Sequence, residues 1–214
     1  MRVLRSFLCD QRGSTAAEFA LVLPVALLFL LGIIDVGRYA WTFNRLEKAV
    51  QMGTRYAVAT SVVPGGLNTK NDFVGITCNG KTLGPGDPIA CTDAIGTISC
   101  TGGASVSCTC AATTQAKSCT GLPGTVNTTA FTDIVSRMQV ILPSIQPTNV
   151  TVKYSGSGIG YAGDPSGLSQ VAPVVTVQVA SVAFRALVLF GGSVSLPAFS
   201  YSQTLEDGDG AVAY

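Results

Sequence analysis

A long apolar run occupies the N-terminal part of the chain. No residue from Phe19 to Ile34 is charged. With Ala16 and Ala17 the run approaches the ~20 residues that cross about 30 Å of hydrocarbon. The pattern predicts one membrane-spanning helix.

The same helix is predicted to continue well beyond the apolar run. No proline or pair of glycines occurs from Ile34 until the sequence VPGG at residues 63–66. Apolar or small residues recur every three or four positions, which marks one stripe of a helix. We therefore expect a helix over residues 14–62, with its first half in lipid and its second half packed on protein. The stripe consists of Val36, Tyr39, Phe43, Leu46, Val50, Gly53, Ala57 and Thr60.

The C-terminal half predicts one shorter helix and a sheet. Apolar residues keep helical spacing from Phe131 to Leu142, and Pro143 then stops the helix. Apolar and polar residues alternate in NVTVKY (149–154) and VVTVQVASVAF (174–184), as in strands with one buried face. A third strand is expected within residues 193–206, where Pro197 indicates an edge or a bulge. The predicted fold class is α+β: a long helix packed against a small antiparallel sheet.

Composition narrows the range of functions. The chain is 47% hydrophobic and 12% charged, with a net charge of +1, so nothing favours a nucleic-acid partner. Histidine is missing from the sequence, which removes the usual general base and the commonest metal ligand. No paired acids, nucleophile with a base, or metal-ligand constellation stands out. The sequence predicts no enzyme, no catalytic residue, no cofactor and no metal site.

The basic residues Arg2, Arg5 and Arg12 before the apolar run also allow a cleavable secretory signal. Such a signal ends its apolar core after about 7–15 residues at a small-residue site. Here Asp35 and Arg38 follow the run, and Arg38 stands where a small residue is needed. The helix is therefore expected to stay attached as an anchor.

Basic residues do not decide the orientation of the anchor, because three precede the apolar run and three follow it closely. Cysteines do: Cys9 precedes the run, and six follow in a region rich in Gly, Thr, Ser and Asn. An even set in such a region indicates three disulfides, which persist in an oxidising compartment, although six cysteines allow 15 pairings. A metal cluster around Cys108 and Cys110 is the alternative, but paired C-x₂-C spacings are missing. The predicted disulfide cysteines are Cys78, Cys91, Cys100, Cys108, Cys110 and Cys119.

The residues around the start of the helix form a recognisable motif. Gly13 ends the basic leader, Glu18 lies five residues further on, and Phe19 opens the uncharged run. Together with LLGIIDVGRYAWTFNRLEKAVQMGTRYA (residues 30–57), this closely resembles the N-terminal region of TadE-like proteins, minor pilins or pseudopilins of Tad (Flp, type IVc) pilus systems. The sequence FSYSQTLED (199–207) weakly resembles the closing strand of that family. The cysteine-rich middle has no counterpart there and resembles an insertion.

The resemblance implies a role for each residue of the motif. A prepilin peptidase would cut after Gly13 on the cytoplasmic side of the membrane and leave a charged amine on Ser14. Glu18, followed by Phe19, would serve subunit assembly by neutralising that amine on a neighbouring subunit. An intrahelical contact between Ser14 and Glu18 is an alternative, and so is a Glu18 that only marks the membrane interface.

The sequence thus predicts four segments. They are a basic leader peptide (1–13), a transmembrane and extended helix (14–62), a cysteine-rich loop region (63–128) and an α+β periplasmic domain (129–214). The predicted localisation is a single pass through the bacterial inner membrane with the N-terminus in the cytoplasm, or the cell surface within a pilus. The predicted partners are prepilin peptidase, other pilin or pseudopilin subunits, the inner-membrane assembly platform and membrane lipid.

The predicted function is a minor pilin or pseudopilin that helps to assemble the pilus. The alternative is a permanently anchored, adhesin-like binding module that never enters a filament.

Overall fold

The structure, a computed structural model, describes residues 14–67, 73–92, 95–111, 123–163, 171–187 and 192–205. The predicted leader, including Gly13, and Cys119 lie outside the described residues. The chain divides into two compact units. The first comprises residues 1–42 and 184–194, and the second comprises residues 43–183 and 195–214.

Helix α1 spans Ser14–Val58 and runs through both units. It begins where the sequence predicts and ends four residues before the predicted end. By length and composition, α1 could cross a membrane. Only 6% of its most apolar 18-residue window is buried inside the protein, in contrast to the core helix of a soluble domain.

A five-stranded antiparallel sheet forms the centre of the second unit. Its strands are β3 (Thr97–Thr101), β4 (Ser107–Ala111), β5 (Val150–Ser155), β6 (Val174–Val179) and β9 (Phe199–Thr204). Their spatial order is β4-β3-β5-β6-β9.

Strands β5 and β6 hold the sheet in register through apolar pairs. Val152 lies opposite Val177, and Tyr154 lies opposite Val175. All four side chains are fully buried, whereas the alternating neighbours are partly exposed. A shift of one residue would turn this apolar set to solvent, so burial fixes the pairing.

Helix α2 (Thr128–Ile141) covers part of the core. Its start is set by Asn127, whose side chain accepts a hydrogen bond from the backbone N–H of Ala130 at 3.0 Å. The helix ends at Ile141, and Leu142 caps it in an extended conformation directly before Pro143, as the sequence predicts. Its apolar face is buried and consists of Ala130, Phe131, Ile134, Val135 and Met138.

The part of α1 that belongs to the second unit packs against both α2 and the sheet. Phe43 contacts the ring of Phe199 edge-on, with the ring centroids 4.8 Å apart. Thr54, although polar, is fully buried and places its hydroxyl within 3.2 Å of the carbonyl oxygen of Tyr201 in β9. A long N-terminal helix packed on an antiparallel sheet is therefore confirmed.

The cysteine-rich region is more ordered than the predicted loop. It supplies β3 and β4, and a short hairpin of β1 (Thr77–Cys78) and β2 (Lys81–Thr82). Ile98 and Cys100 of β3 are fully buried. The sequence does not predict these strands, because their Ser, Thr and Cys residues have the composition of a disulfide-linked loop.

The third predicted strand is divided in two. Strand β8 (Ser193–Ser195) pairs with β7 (Ala183–Arg185), and β9 lies at one edge of the large sheet. Pro197 falls between β8 and β9, where no ladder hydrogen bond is required of it. The edge position expected from Pro197 is confirmed for β9.

Candidate functional site

The predicted assembly motif lies at the start of α1. Ser14 is the first helical residue, and Glu18 follows one turn later, ~6 Å along the axis. Glu18 is exposed on the protein surface, and 65% of Phe19 is exposed beside it. Glu18 and Phe19 are therefore presented outward from α1.

The surface of α1 around this motif is almost entirely apolar. Large side chains from Phe19 to Val36 are 40–77% exposed. An exposed apolar surface of this extent is typical of a site that contacts lipid or other helices. It includes Leu21, Val22, Leu28, Phe29, Ile33 and Ile34.

A second polar site lies where the uncharged run ends. Asp35 is only 8% exposed, and both of its carboxylate oxygens lie 3.0 Å from the backbone N–H of Leu187. The guanidinium of Arg38, one turn further along α1, lies 3.2 Å from one of these oxygens. Backbone and guanidinium donors thus compensate the burial of this acid.

Aromatic contacts also hold the segment that contains Phe184 and Leu187 against α1. The ring of Phe184 meets Tyr39 edge-on at 5.5 Å, and the guanidinium carbon of Arg38 lies 5.4 Å from the centre of the Phe184 ring. Sequence reasoning missed this arrangement. Its only local signal is an acid followed three residues later by an arginine, and the partner segment lies about 150 residues away.

Disulfides link residues within the cysteine-rich region. Cys78 is bonded to Cys91, and Cys100 is bonded to Cys108, its direct neighbour across the β3–β4 ladder. Cys110 is also disulfide-bonded. Two of the three predicted bridges are therefore described, whereas the part of Cys119 stays a prediction because Cys119 lies outside the described residues.

One ion pair lies within the Cys78–Cys91 loop. The ammonium of Lys81 lies 2.8 Å from the carboxylate of Asp87, which also accepts the backbone N–H of Gly84 at 2.8 Å. These two hydrogen bonds, Lys81 first, hold the pKa of Asp87 below its ordinary value of 3.8. Both side chains retain solvent contact, so the pair contributes little to stability on its own.

A buried tyrosine anchors the chain that leaves α1. The hydroxyl of Tyr154 accepts the backbone N–H of Val63 at 3.1 Å, and both residues are fully buried. Burial raises the pKa of the Tyr154 hydroxyl well above its usual value, while the hydrogen bond to Val63 acts in the opposite direction. Tyr154 therefore stays neutral and structural over the physiological pH range.

The described part of the chain also contains a groove of about 230 Å³ between α2 and the turn joining β3 to β4. Its polar lining comes from side chains such as Ser105, Thr132 and Gln139, and no ionisable side chain lines it. Among the described residues, no group of three or more His, Cys, Asp or Glu is placed to hold a metal ion.

Comparison with known families matches the N-terminal part of the chain. Residues 13–55, which are 43 of the 214 residues, match the family model described as TadE-like protein. The matched segment contains Gly13, Ser14, Glu18, Asp35 and Gly53. It agrees with the family resemblance found in the sequence. Searches of curated proteins and of solved structures gave no match.

Proposed function

We propose that this chain, whose residues 13–55 are TadE-like, is a minor pilin or pseudopilin of a Tad (Flp) type IV pilus. The family match itself implies a protein associated with the Tad pilus. The observation that carries the finer proposal is where the match begins. It starts at Gly13, the residue after which a prepilin peptidase would cut, and continues through the apolar half of α1.

The surface of α1 supports a role in assembly. Its large apolar side chains from Phe19 to Ile34 face outward and would be covered by lipid before assembly. In a filament, the corresponding helices of neighbouring subunits would cover them instead. A single helix surface would then serve both as the membrane anchor and as the packing face of the subunit.

Glu18 supplies the specific contact in this proposal. A carboxylate near hydrocarbon is unfavourable, by about 2.5–3.5 kcal/mol at the centre of a membrane helix and by less near its end. Cleavage after Gly13 would create an amine on Ser14, and opposite charges attract strongly where the dielectric is low. Pairing Glu18 with the amine of the next subunit would favour helices packed side by side with their globular parts staggered.

The disulfides support the proposed orientation. Bridges such as Cys78–Cys91 and Cys100–Cys108 persist in oxidising compartments. We therefore place the second unit outside the cytoplasm, in the periplasm or on the assembled pilus, and the N-terminus in the cytoplasm. The inner-membrane assembly platform and the other pilin subunits are the partners in this scheme.

The N-terminus of the mature protein in its native host tests the proposal most directly. Mass spectrometry should find Ser14 as the first residue. Gly13→Leu should retain the leader, whereas Gly32→Ala should be processed normally. Gly32 is the matched control because a Cβ added there meets nothing within 4 Å.

An intact Met1 in cells with an active prepilin peptidase would overturn the pilin proposal. It would favour the alternative, a permanently anchored module that binds a surface or envelope partner through its disulfide-linked region. Recovery of the chain in sheared pili would exclude that alternative.

A further inference from the structure

Strands β7 and β8 form a second hairpin, and residues 184–187 on its first arm contact α1 near the end of the apolar run. Phe184 contacts α1 at Tyr39 and Arg38, whereas Leu187, three residues later, contacts Asp35. The contacts thus move back along α1 by about one turn, or ~6 Å, as the chain leaves β7. Leu187 therefore lies beside Asp35, the residue that directly follows Ile34 at the end of the uncharged run.

Apolar side chains are exposed on this part of the hairpin. Leu187 is 67% exposed and Val194 is 47% exposed. On α1, Ile33 and Ile34, directly before Asp35, are 68% and 50% exposed. Exposed apolar side chains therefore occur on both sides of the contact between Asp35 and the backbone of Leu187.

The polar groups at this level suit the boundary between a membrane and water. Trp41, the single tryptophan of the chain, is 68% exposed on α1. Arg38 and Arg185 are exposed as well, and they are cations of the kind that bind anionic headgroups. Tryptophan and arginine are both enriched where a membrane protein meets the headgroup layer.

We propose that Leu187 and Val194, which we call the hairpin surface, form a second membrane contact beside α1. Its occupant is lipid, at the headgroup and upper acyl-chain level where α1 leaves the bilayer. The proposal rests on the proposed function only in requiring that α1 spans the membrane. Asp35 is a positioning residue: its carboxylate holds the backbone of Leu187 and thereby fixes how the hairpin meets the bilayer.

Lipid is favoured over a second protein chain for a reason of position. Leu187 of the hairpin surface contacts Asp35, which directly follows Ile33 and Ile34 in the run that would cross the membrane. Two backbone N–H groups at this surface are already engaged, since Leu187 donates to Asp35 and the neighbouring Ala186 donates to Gly192 at 3.2 Å. The exposed apolar side chains flanked by cations match the acyl chains and anionic headgroups of lipid.

Tryptophan fluorescence in vesicles tests the proposal with the full chain. In a Trp41→Phe background, Leu187→Trp places the only tryptophan on the hairpin surface. The protein is reconstituted in vesicles of phosphatidylethanolamine and phosphatidylglycerol with or without brominated acyl chains. Leu28→Trp in α1 marks the span, and Val140→Trp on α2, a site that is 79% exposed in the second unit, serves as the matched aqueous control.

We expect brominated lipid to quench Leu187→Trp severalfold more than Val140→Trp, and aqueous iodide to show the reverse order. Iodide quenching of Leu187→Trp equal to that of Val140→Trp would overturn the proposal. Shielding from both quenchers that increases with the protein-to-lipid ratio would also overturn it, because a second subunit would then cover the surface. Loss of quenching at Leu28→Trp would instead count against the membrane span and thus against the proposed function.

Asp35→Ala separates the positioning role of Asp35 from the hydrophobicity of the hairpin surface itself. It leaves Leu187→Trp chemically unchanged but removes the acceptor of the Leu187 N–H. Brominated-lipid quenching at Leu187→Trp should fall severalfold, while quenching at Leu28→Trp should be unaffected. Asp35→Asn keeps one carbonyl acceptor and should restore part of the quenching; equal quenching in all three chains would remove Asp35 from this role.

Discussion

Met138 of α2 occupies the space directly outside Gly53 of α1. A Cβ added at Gly53 would lie 2.7 Å from both the Cγ and the Sδ of Met138, which is itself fully buried. The absence of a side chain at this one position of α1 therefore lets the two helices approach each other. Gly53 also lies within the segment that matches the TadE-like family, so that segment includes a packing requirement in addition to the proposed assembly motif.

We expect Gly53→Ala to destabilise the protein by about 1–2 kcal/mol. Overpacking a filled core costs about 1–3 kcal/mol, and the higher helix propensity of alanine offsets up to about 1 kcal/mol of that cost. In a Met138→Ala background the same substitution should be neutral or stabilising. A double-mutant cycle from denaturant unfolding in detergent measures the difference. Equal costs in both backgrounds would show that Met138 does not set the requirement.

Tyr154→Phe should cost about 1–3 kcal/mol, because it leaves the buried N–H of Val63 without the hydroxyl that accepts it. The measurement is the free energy of unfolding of the second unit. Tyr201→Phe is the matched control, since the Tyr201 side chain is 38% exposed and Thr54 contacts only its backbone carbonyl. A Tyr154→Phe protein as stable as the control would contradict the structural role given to this hydroxyl.

Non-reducing peptide mapping should find Cys78 linked to Cys91 and Cys100 linked to Cys108, with Cys110 in a third bridge, expected with Cys119. Replacing Cys100 and Cys108 together by alanine should destabilise the protein by about 2–4 kcal/mol, because the bridge no longer restricts the unfolded chain. Free thiols throughout, or a different partner for Cys100, would refute the assignment and weaken the case for an oxidising compartment.

The Lys81–Asp87 pair predicts a modest acid sensitivity. The pKa of Asp87 is lowered in the folded protein, so its contribution is present above the ordinary value of 3.8 and is lost as the pH falls through the lowered folded value. Below about pH 4 the Tm of the wild type should therefore fall more steeply than that of Asp87→Asn. Lys81→Gln should flatten the wild-type decrease in part, and high salt should do the same. Parallel curves for wild type and Asp87→Asn would rule out this contribution.

Glu18→Gln tests the assembly contact without a change of size. Membrane insertion should be unchanged or slightly easier, since a charge near hydrocarbon is removed. Incorporation into pili should fall severalfold, because no carboxylate remains to pair with the amine of the neighbouring subunit. Glu47→Gln, at an exposed acid of α1 beyond the apolar run, should assemble normally. Incorporation is measured as the ratio of subunit in sheared pili to subunit in membranes. Wild-type incorporation of Glu18→Gln would remove Glu18 from the mechanism.

Periodicity predicted the elements whose burial is regular. The three-and-four spacing of α1 and α2 and the alternation in β5 and β6 each correspond to an observed element. Strands β3 and β4 were missed because one fully buried residue of β3, Cys100, is also a bridge cysteine, and its burial cannot be distinguished from bridging in sequence alone. The four residues after Val58 were assigned to the helix because nothing in their sequence forbids it.

The candidate site was predicted only where its chemistry is local. Gly13, Ser14, Glu18 and Phe19 are close in sequence, and the resemblance to TadE-like proteins indicated them as a motif, whose roles stay a prediction. The Asp35 contact joins a side chain to a backbone N–H 152 residues away. Every residue except proline carries such an N–H, so no sequence pattern distinguishes Leu187 as the partner. Long-range contacts to the backbone of this kind require the fold.

The Cys78–Cys91 and Cys100–Cys108 disulfides also limit how far a pulling force can extend the protein. A stretched chain lengthens by ~3.3–3.6 Å per residue, but residues enclosed by a bridge add nothing. With separations of 8 and 13 residues and Cα–Cα distances of 4.0 and 5.5 Å, Cys100–Cys108 withholds ~24 Å of extension and Cys78–Cys91 withholds ~39 Å. If the protein is a pilus subunit as proposed, a pulled subunit would therefore lengthen less when it unfolds. Strand β4 would stay linked to β3 through Cys100–Cys108 even after the backbone hydrogen bonds between the two strands had broken.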